Sequence, residues 1–507
     1  MKIRYLLALS LLALACQPQP QTDTAAATPT YDEPWRPQVH YSPPSQWMND
    51  PNGMVYHEGE YHLFYQHYPD SNVWGPMHWG HAVSTDLVHW EQLPIALYPD
   101  SLGYIFSGSA VVDAHNTSGL APTGQVPMVA IFTYHEPVGA EAGRLDHQTQ
   151  GIAYSLDRGR SWTKYEGNPV LPNPGIRDFR DPKVFWHAES EHWVMILAVA
   201  DRIHLYRSPN LLDWTFASEF GAEYGAHGGV WECPDLFPLT LDGQEWWVLL
   251  LSINPGGPNG GSATQYFVGD FDGQTFTSHY PAGQTLWIDE GKDNYAGVTW
   301  SGIPAADGRR LFLGWMSNWQ YANVVPTTAW RSAMTLPRRL DLWAGPDGPR
   351  LANRPVREVA QLEGNPKALP VGGLESIPSA PISAPMVLRV QIIPGAERRC
   401  GLTFANGQGE RLGIDYRGDS LYVDRSEAGR AGFSADFAGR HGAPLGAVDT
   451  LTLDIYLDVA SVEVFAQGGR LALTEIVFPE QPYEQLQFHG AGTLVSAKCA
   501  PLERIWP

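Results

Sequence analysis

Cysteine is scarce: 4 among 507 residues, with no CxxC pair. That excludes a disulfide-stapled scaffold and a thiolate zinc cluster. Cys400 and Cys499 both lie in the C-terminal part and are free to pair in an oxidising compartment or to stay as two buried thiols. Positive charge is also short, with 33 Lys and Arg against 54 Asp and Glu and a formal charge of −21. A nucleic-acid partner needs a basic footprint, so that class is excluded. Long apolar runs are missing as well. The one candidate, Tyr5–Ala15, is shorter than the roughly 20 residues that span a bilayer. The chain also lacks sustained helical periodicity and chemical motifs of other classes. HEGEYH (His57–His62) has one residue too many for the zinc pattern HExxH, and His78 and His81 lack a third ligand. NPGGPNGGS (Asn254–Ser262) lacks the Gly-Lys-Ser/Thr of a phosphate loop and reads as a wide turn. No metal or other cofactor is expected.

Aromatic residues are abundant: 19 Trp, 22 Tyr and 18 Phe. Most must fill a β-rich core. Some fit a sugar site, where ring faces stack on C–H faces and indole N–H or phenol O–H groups meet hydroxyls. Lys2 and Arg4 precede the apolar run, and Cys16 follows it at once. This reads as an export signal over residues 1–15. It resembles a bacterial lipoprotein signal, with Cys16 lipidated and residues 16–34 as a flexible tether. Ala13-Leu14-Ala15 also fits ordinary secretory cleavage, so the exported protein is either membrane-anchored through Cys16 or secreted.

From about Tyr41 to Leu342 short apolar runs alternate with turn clusters, for example Met128–Thr133, Trp193–Ala198 and Trp246–Ser252. A Ser-x-Asp/Asn segment followed by Trp recurs as STDLVHW (Ser84–Trp90), SLDRGRSW (Ser155–Trp162) and SPNLLDW (Ser208–Trp214), with an echo at Phe271–Phe276. Spacings of about 50–70 residues suit four-stranded propeller blades, five of them over this length. These segments are expected to be architectural turns. The predicted organisation is all-β: a five-bladed β-propeller over 35–346, a linker with a short helix over 347–385, and a β-sandwich over 386–507.

Three acids sit oddly within aromatic strand sequence. They are Asp50 in WMNDPNG, Asp181 in FRDPKVF and Glu232 in WECPDLF, each with Pro one or two places later. Blades would bring them together at one channel mouth. Two carboxyls in an aromatic cavity are the minimal kit for glycoside cleavage: one stays ionised as nucleophile or base, the other protonates the leaving oxygen. Asn49 and Arg180 are placed to keep their neighbours Asp50 and Asp181 charged, which leaves Glu232 as the acid.

Six motifs occur in order: WMNDPNG, FSGSAV (Phe106–Val111), FRDPKVF, WECPDLF, GKDNYAGVTW (Gly291–Trp300) and GWMSNWQYANVVPTTAWR (Gly314–Arg331). Together they resemble glycoside hydrolase family 32, the levanases, inulinases and invertases. LYVDRS (Leu421–Ser426) and SVEVF (Ser461–Phe465) resemble that family's sandwich domain. The resemblance implies retaining hydrolysis of β-fructofuranosides, with a fructan or fructo-oligosaccharide substrate. It implies Asp50 as nucleophile, Asp181 as transition-state stabiliser and Glu232 as acid/base. Asn49, Gln66, Trp74, Phe106, Ser107, Arg180, Tyr295 and Trp315 would line the pocket, and Cys233 would tune Glu232. The alternatives at this stage are a non-catalytic fructan-binding lipoprotein and a fructosyltransferase.

Overall fold

A computed structural model describes residues 30–506. The export signal and Cys16 lie outside the described residues. The described residues form seven sheets. Among the described residues helix is confined to Pro137–Glu141 and two short 3-10 turns, Arg357–Leu362 and Leu374–Ser376. Runs such as HWVMILAV (His192–Val199), rich in branched and aromatic residues, are buried almost end to end. Such residues suit a strand packed on both faces.

Five sheets of four or five strands follow one another from Gln46 to Pro355. Their first strands are Gln46–His57, Tyr104–Val112, Phe179–His187, Val230–Leu241 and Tyr295–Thr299. Each touches the next, and the last touches the first, so the sheets stand in a closed ring. Late chain segments lock this ring: Trp330–Arg331 pairs with Gln46–Trp47, and Ser301 bridges Val55. This is the propeller architecture. The Ser-x-Asp/Asn segments are its turns. Ser84, Ser155 and Ser208 each end the third strand of a sheet, and Phe271 ends the third strand of the fourth. Ser84 Oγ accepts from Leu87 N–H at 2.7 Å, and Ser155 Oγ from Gly159 N–H at 2.8 Å. Short hydroxyl-capped turns then feed the outer strands.

The fifth sheet continues past the expected boundary at 346. Pro346-Asp347 is a two-residue hairpin turn, and Gly348–Pro355 pairs along its length with Arg338–Gly345. Part of the expected linker also belongs to the second domain. Lys367–Ala368 and Gly372–Gly373 pair with Gly492–Pro501, and Ala380–Pro381 pairs with Gln485–Gly490. The two C-terminal sheets enclose one apolar core as a sandwich. Tyr31, inside the expected tether, is buried and stacks on Trp506 with ring centroids 4.0 Å apart. Cys400 and Cys499 are free thiols.

Buried charges join the two domains. Arg338 is held by Asp289 at 2.8 Å and by Glu463, and Arg425 by Asp293 at 2.5 Å and Glu475 at 2.9 Å. Each guanidinium also finds hydroxyl or carbonyl acceptors, so the burial leaves little unpaired. This clamp fixes residues 289–294, which lead directly into the strand that starts at Tyr295.

Inside the first sheet His62 Nδ1 lies 3.1 Å from His81 Nε2, both buried. Burial pushes His62 down to about 4 and His81 well below its ordinary value. A base depressed in the folded state stabilises fully above its unfolded value near 6.5, and that share is lost as pH falls toward the folded value. The slope is about 1.4 kcal/mol per pH unit for each such group. Histidine side-chain NMR should find both rings neutral at pH 6; ordinary titration near 6.5 would contradict this packing.

Candidate active site

The first strands of all five sheets carry the same irregularity. Each places two residues against one on its neighbour, between the paired residues Met48 and Pro51, Ile105 and Gly108, Arg180 and Lys183, Glu232 and Asp235, and Tyr295 and Val298. These are β-bulges, which re-aim side chains and interrupt the ladder. They fall at Asp50, Phe106-Ser107, Asp181, Cys233 and Ala296. Proline explains three of them, since Pro51, Pro182 and Pro234 cannot donate a ladder hydrogen bond. Asp181, Cys233 and Ala296 also have positive φ of 64°, 47° and 54°. That conformation is costly for non-glycine residues and collects at functional sites.

The bulges bring the three acids to one place. Cys233 Sγ lies 3.5 Å from Asp50 Oδ2 and 3.7 Å from Asp181 Oδ2. Ser107 Oγ donates to Asp50 Oδ2 at 2.7 Å, and Asn49 Nδ2 to Asp50 Oδ1 at 2.9 Å. Trp47 Nε1 donates to Asn49 Oδ1 at 2.6 Å, which fixes the amide so that its N–H faces Asp50. Asp181 accepts the Cys233 N–H at 3.0 Å, and its own N–H donates to Thr133 Oγ1 at 2.9 Å. Glu232 accepts from Arg180 Nη2 at 3.0 Å and from the Tyr295 hydroxyl.

Two expectations need correction. Arg180 is expected to hold Asp181 charged by donating a hydrogen bond, but its side chain donates to Glu232 and back to Asp178 at 2.6 Å and acts on Asp181 only as a charge 3.9 Å away. The positive φ at Asp181 swings its carboxyl away from its neighbour. Cys233 was to tune Glu232, but its N–H and thiol face the two aspartates instead. Burial and the three carboxyls push that thiol well up, so it stays a neutral donor.

Burial is the main electrostatic influence on the cluster. It raises Asp50, helped by repulsion from Glu232 and opposed by Ser107 and Asn49. It raises Asp181 to about 7; Arg180 pulls the other way, and Glu232 and Asp50 push it further up. Asp50 and Asp181, both raised and both facing Cys233, therefore share a tendency to keep a proton toward neutral pH.

The other predicted pocket residues surround this cluster. Gln66 is buried, with Nε2 donating to Ile105 O at 3.0 Å and Oε1 without a partner among the described residues. Phe106 meets Trp74 edge-on at 6.1 Å and stacks on His135 at 4.3 Å. Trp74 is 40% exposed and forms an outer rim. Trp315 is fully buried beside Tyr295, Trp47 and Trp319, and its Nε1 has no hydrogen-bond partner among the described residues. Sequence reasoning missed Trp47, Trp319 and Thr133. Trp47 and Trp319 lie within quoted motifs, and Thr133 is the lone hydroxyl in the buried run Met128–Thr133.

Comparison with known proteins agrees in sequence and in shape. The model of the glycosyl hydrolases family 32 N-terminal domain matches residues 40–355, and that of the family's C-terminal domain matches 364–503. The levanase of Bacillus subtilis is 48% identical over 503 residues, covering 95% of this chain and 72% of that protein. The extracellular exo-inulinase inuE of Aspergillus niger is 42% identical over 489 residues, covering 89% and 90%. The crystal structure of exo-inulinase from Aspergillus awamori superposes with a TM-score of 0.87 at 36% identity, covering 94% of this chain and 100% of that one.

Proposed function

We propose, since the chain belongs to glycosyl hydrolases family 32, that it releases terminal β-D-fructose from fructans with retention of configuration. It is a glycosidase of the fructan- and sucrose-hydrolysing kind, and its relatives include exported enzymes. Levan is the favoured polymer on the GWMSNWQYA stretch, with inulin and sucrose also accepted.

Asp50 attacks the anomeric carbon of the terminal fructose while Glu232 gives its proton to the departing glycosidic oxygen. A covalent fructosyl–Asp50 ester results. Glu232, now a carboxylate, takes a proton from water; that oxygen attacks the same carbon and frees Asp50. Two inversions give net retention. Asp181 accepts hydrogen bonds from ring hydroxyls, and these tighten as positive charge builds on the ring. Ser107 and Asn49 hold Asp50 in place for attack, and Tyr295 and Arg180 orient Glu232. Gln66 Oε1 supplies a fixed acceptor for the sugar, Trp315 backs the pocket wall behind Tyr295, and Trp74 with Phe106 forms the apolar rim.

The observation that carries this reading is the convergence of Asp50, Asp181 and Glu232 around Cys233, each delivered by a bulge on a different sheet. Groups converging from five strands enclose one sugar and leave no room for chain beyond it, so attack is from the end. A short time course on levan should show free fructose from the first minutes, with the β anomer at the instant of release. Early fructo-oligosaccharides with little free fructose would mean an open cleft.

Export ends at the membrane on this reading. Cys16, directly after the apolar run Tyr5–Ala15, carries the lipid. A single acyl chain binds a membrane only marginally, so firm anchoring needs more than one chain. The protein should partition with membranes, and Cys16→Ser should release it or stall its processing. A wild-type protein that is soluble and lipid-free would establish ordinary secretion.

A further inference from the structure

The strand Phe179–His187 is the inner edge of the third sheet, so one side of it has no ladder partner. Its backbone groups on that side are met instead by four side chains of the second sheet. Gln148 Oε1 accepts the Phe179 N–H at 2.8 Å, and Gln150 Nε2 donates to Phe179 O at 2.9 Å. Thr133 Oγ1 accepts the Asp181 N–H at 2.9 Å. Ser109 Oγ donates to Pro182 O at 2.9 Å and accepts the Val184 N–H at 3.0 Å. All four side chains are buried. Thr133 and Gln150 face each other as a cross-strand pair, as do His135 and Gln148. The Thr133 hydroxyl donates to Gln150 Oε1 at 2.6 Å, and Gln148 Nε2 lies 3.3 Å from His135 Nδ1.

This array has a fixed direction. The Thr133 oxygen is aimed at the Asp181 N–H because its own proton goes to Gln150 Oε1, and the Gln150 amide nitrogen is thereby turned to Phe179 O. The contact matters most at Asp181. The bulge takes the Asp181 N–H out of the ladder, and a φ of 64° persists at a non-glycine residue only where the surroundings over-determine it. Thr133 holds the Asp181 backbone, and the Cys233 N–H holds its carboxyl. Without the hydroxyl, a buried N–H is left unpaired. The peptide would then turn toward another acceptor and carry the carboxyl off the Cys233 N–H. The geometry points to Thr133, with Gln150 behind it, as positioning residues that set where the Asp181 carboxyl meets the sugar ring, without touching substrate themselves. The inference rests on the role proposed for Asp181. Hydrogen bonds that tighten only as charge builds on the ring act on turnover, so misplacing Asp181 costs kcat more than ground-state binding.

The test compares Thr133→Val, which keeps the shape and removes the hydroxyl, with Thr133→Ser, which keeps the hydroxyl. In folded Thr133→Val, kcat on sucrose and levan should fall about ten- to a hundredfold, with KM within about threefold of wild type. Thr133→Ser should recover kcat to within about threefold of wild type. Inhibition gives a second reading. An iminosugar whose protonated ring nitrogen mimics the charged ring should bind Thr133→Val more weakly by about the factor that kcat loses, and free fructose by no more than about threefold. Gln150→Met keeps the bulk, removes the acceptor of the hydroxyl proton and should lower kcat at least about fivefold. It carries the test where Thr133→Val does not fold. A lowered thermal midpoint with near-normal kcat in Thr133→Val would make the hydroxyl a structural group only and overturn the inference. So would Thr133→Ser no more active than Thr133→Val, or a loss confined to KM. Failure of the role proposed for Asp181 would show separately, as an Asp181→Ala enzyme that keeps wild-type kcat.

Discussion

Asp50→Asn is expected to lose at least about three decades of kcat, on every substrate, because it removes a member of a catalytic unit rather than a binding contact. The change is nearly isosteric. Ser107 can turn its hydroxyl to accept from the new amide, and the Asn49 N–H can still donate to the remaining oxygen. The fold should therefore survive. Stability should hold or rise, and the sign can be worked out. Burial and Glu232 raise the Asp50 carboxyl above its ordinary value. A carboxyl raised in the folded state costs stability at any pH where it is ionised, so its neutral replacement removes that cost. A thermal midpoint at or above wild type, with activity lost on sucrose, levan and an activated aryl fructoside alike, would mark a nucleophile. Wild-type enzyme quenched during turnover should yield an Asp50 peptide carrying one fructosyl group, and the variant none. Near-normal turnover by the folded variant would refute the assignment.

Much of this site is legible in the sequence because bulges leave a local trace. Asp50, Asp181 and Glu232 stand out as acids in aromatic strands followed by proline, and proline is one chemical reason the ladder breaks there. The bulges at Ser107 and Ala296 carry no proline, so only the family resemblance points to Ser107 and Tyr295. The repeated serine turns are legible for a similar reason: a hydroxyl caps a backbone N–H two to four residues away. What stays hidden is long-range. Nothing near Arg180 says that its guanidinium will cross to Glu232 and leave Asp181 to the Cys233 N–H. Nor does the sequence around Asp289 and Asp293 reveal that they clamp Arg338 and Arg425 and so seat the strand of Tyr295 against the sandwich. The domain boundary is blurred by the same limit: Pro346-Asp347 reads as the start of a connector, and only pairing with Arg338–Gly345 makes it a hairpin.

Glu232→Gln should separate substrates by their leaving groups. A sugar alkoxide departs badly without a proton, so kcat/KM on sucrose and levan should fall by about two to four decades, the usual range for a positioned general acid. An aryl fructoside with an acidic phenol leaves unaided, and its kcat/KM should stay within about tenfold of wild type. Its kcat should nonetheless drop, because the second half of the reaction needs Glu232 as base to activate water. The fructosyl–Asp50 ester then accumulates, and the phenol should appear as a burst followed by slow turnover. The side chain keeps its place: its carbonyl accepts from Arg180 Nη2 as Oε1 does now, and its amide donates to the Tyr295 oxygen. The pH profile supplies an independent reading. The acidic limb follows loss of the charged Asp50 and should remain, since Asn49 and Ser107 are untouched. The alkaline limb follows loss of the proton that the leaving oxygen needs, and a glutamine at 232 has no such proton to lose. That limb should vanish for sucrose. Equal loss on both substrate types, with the alkaline limb still present, would move the acid role away from Glu232, and Asp181, which burial already pushes to about 7, would be the group to test next.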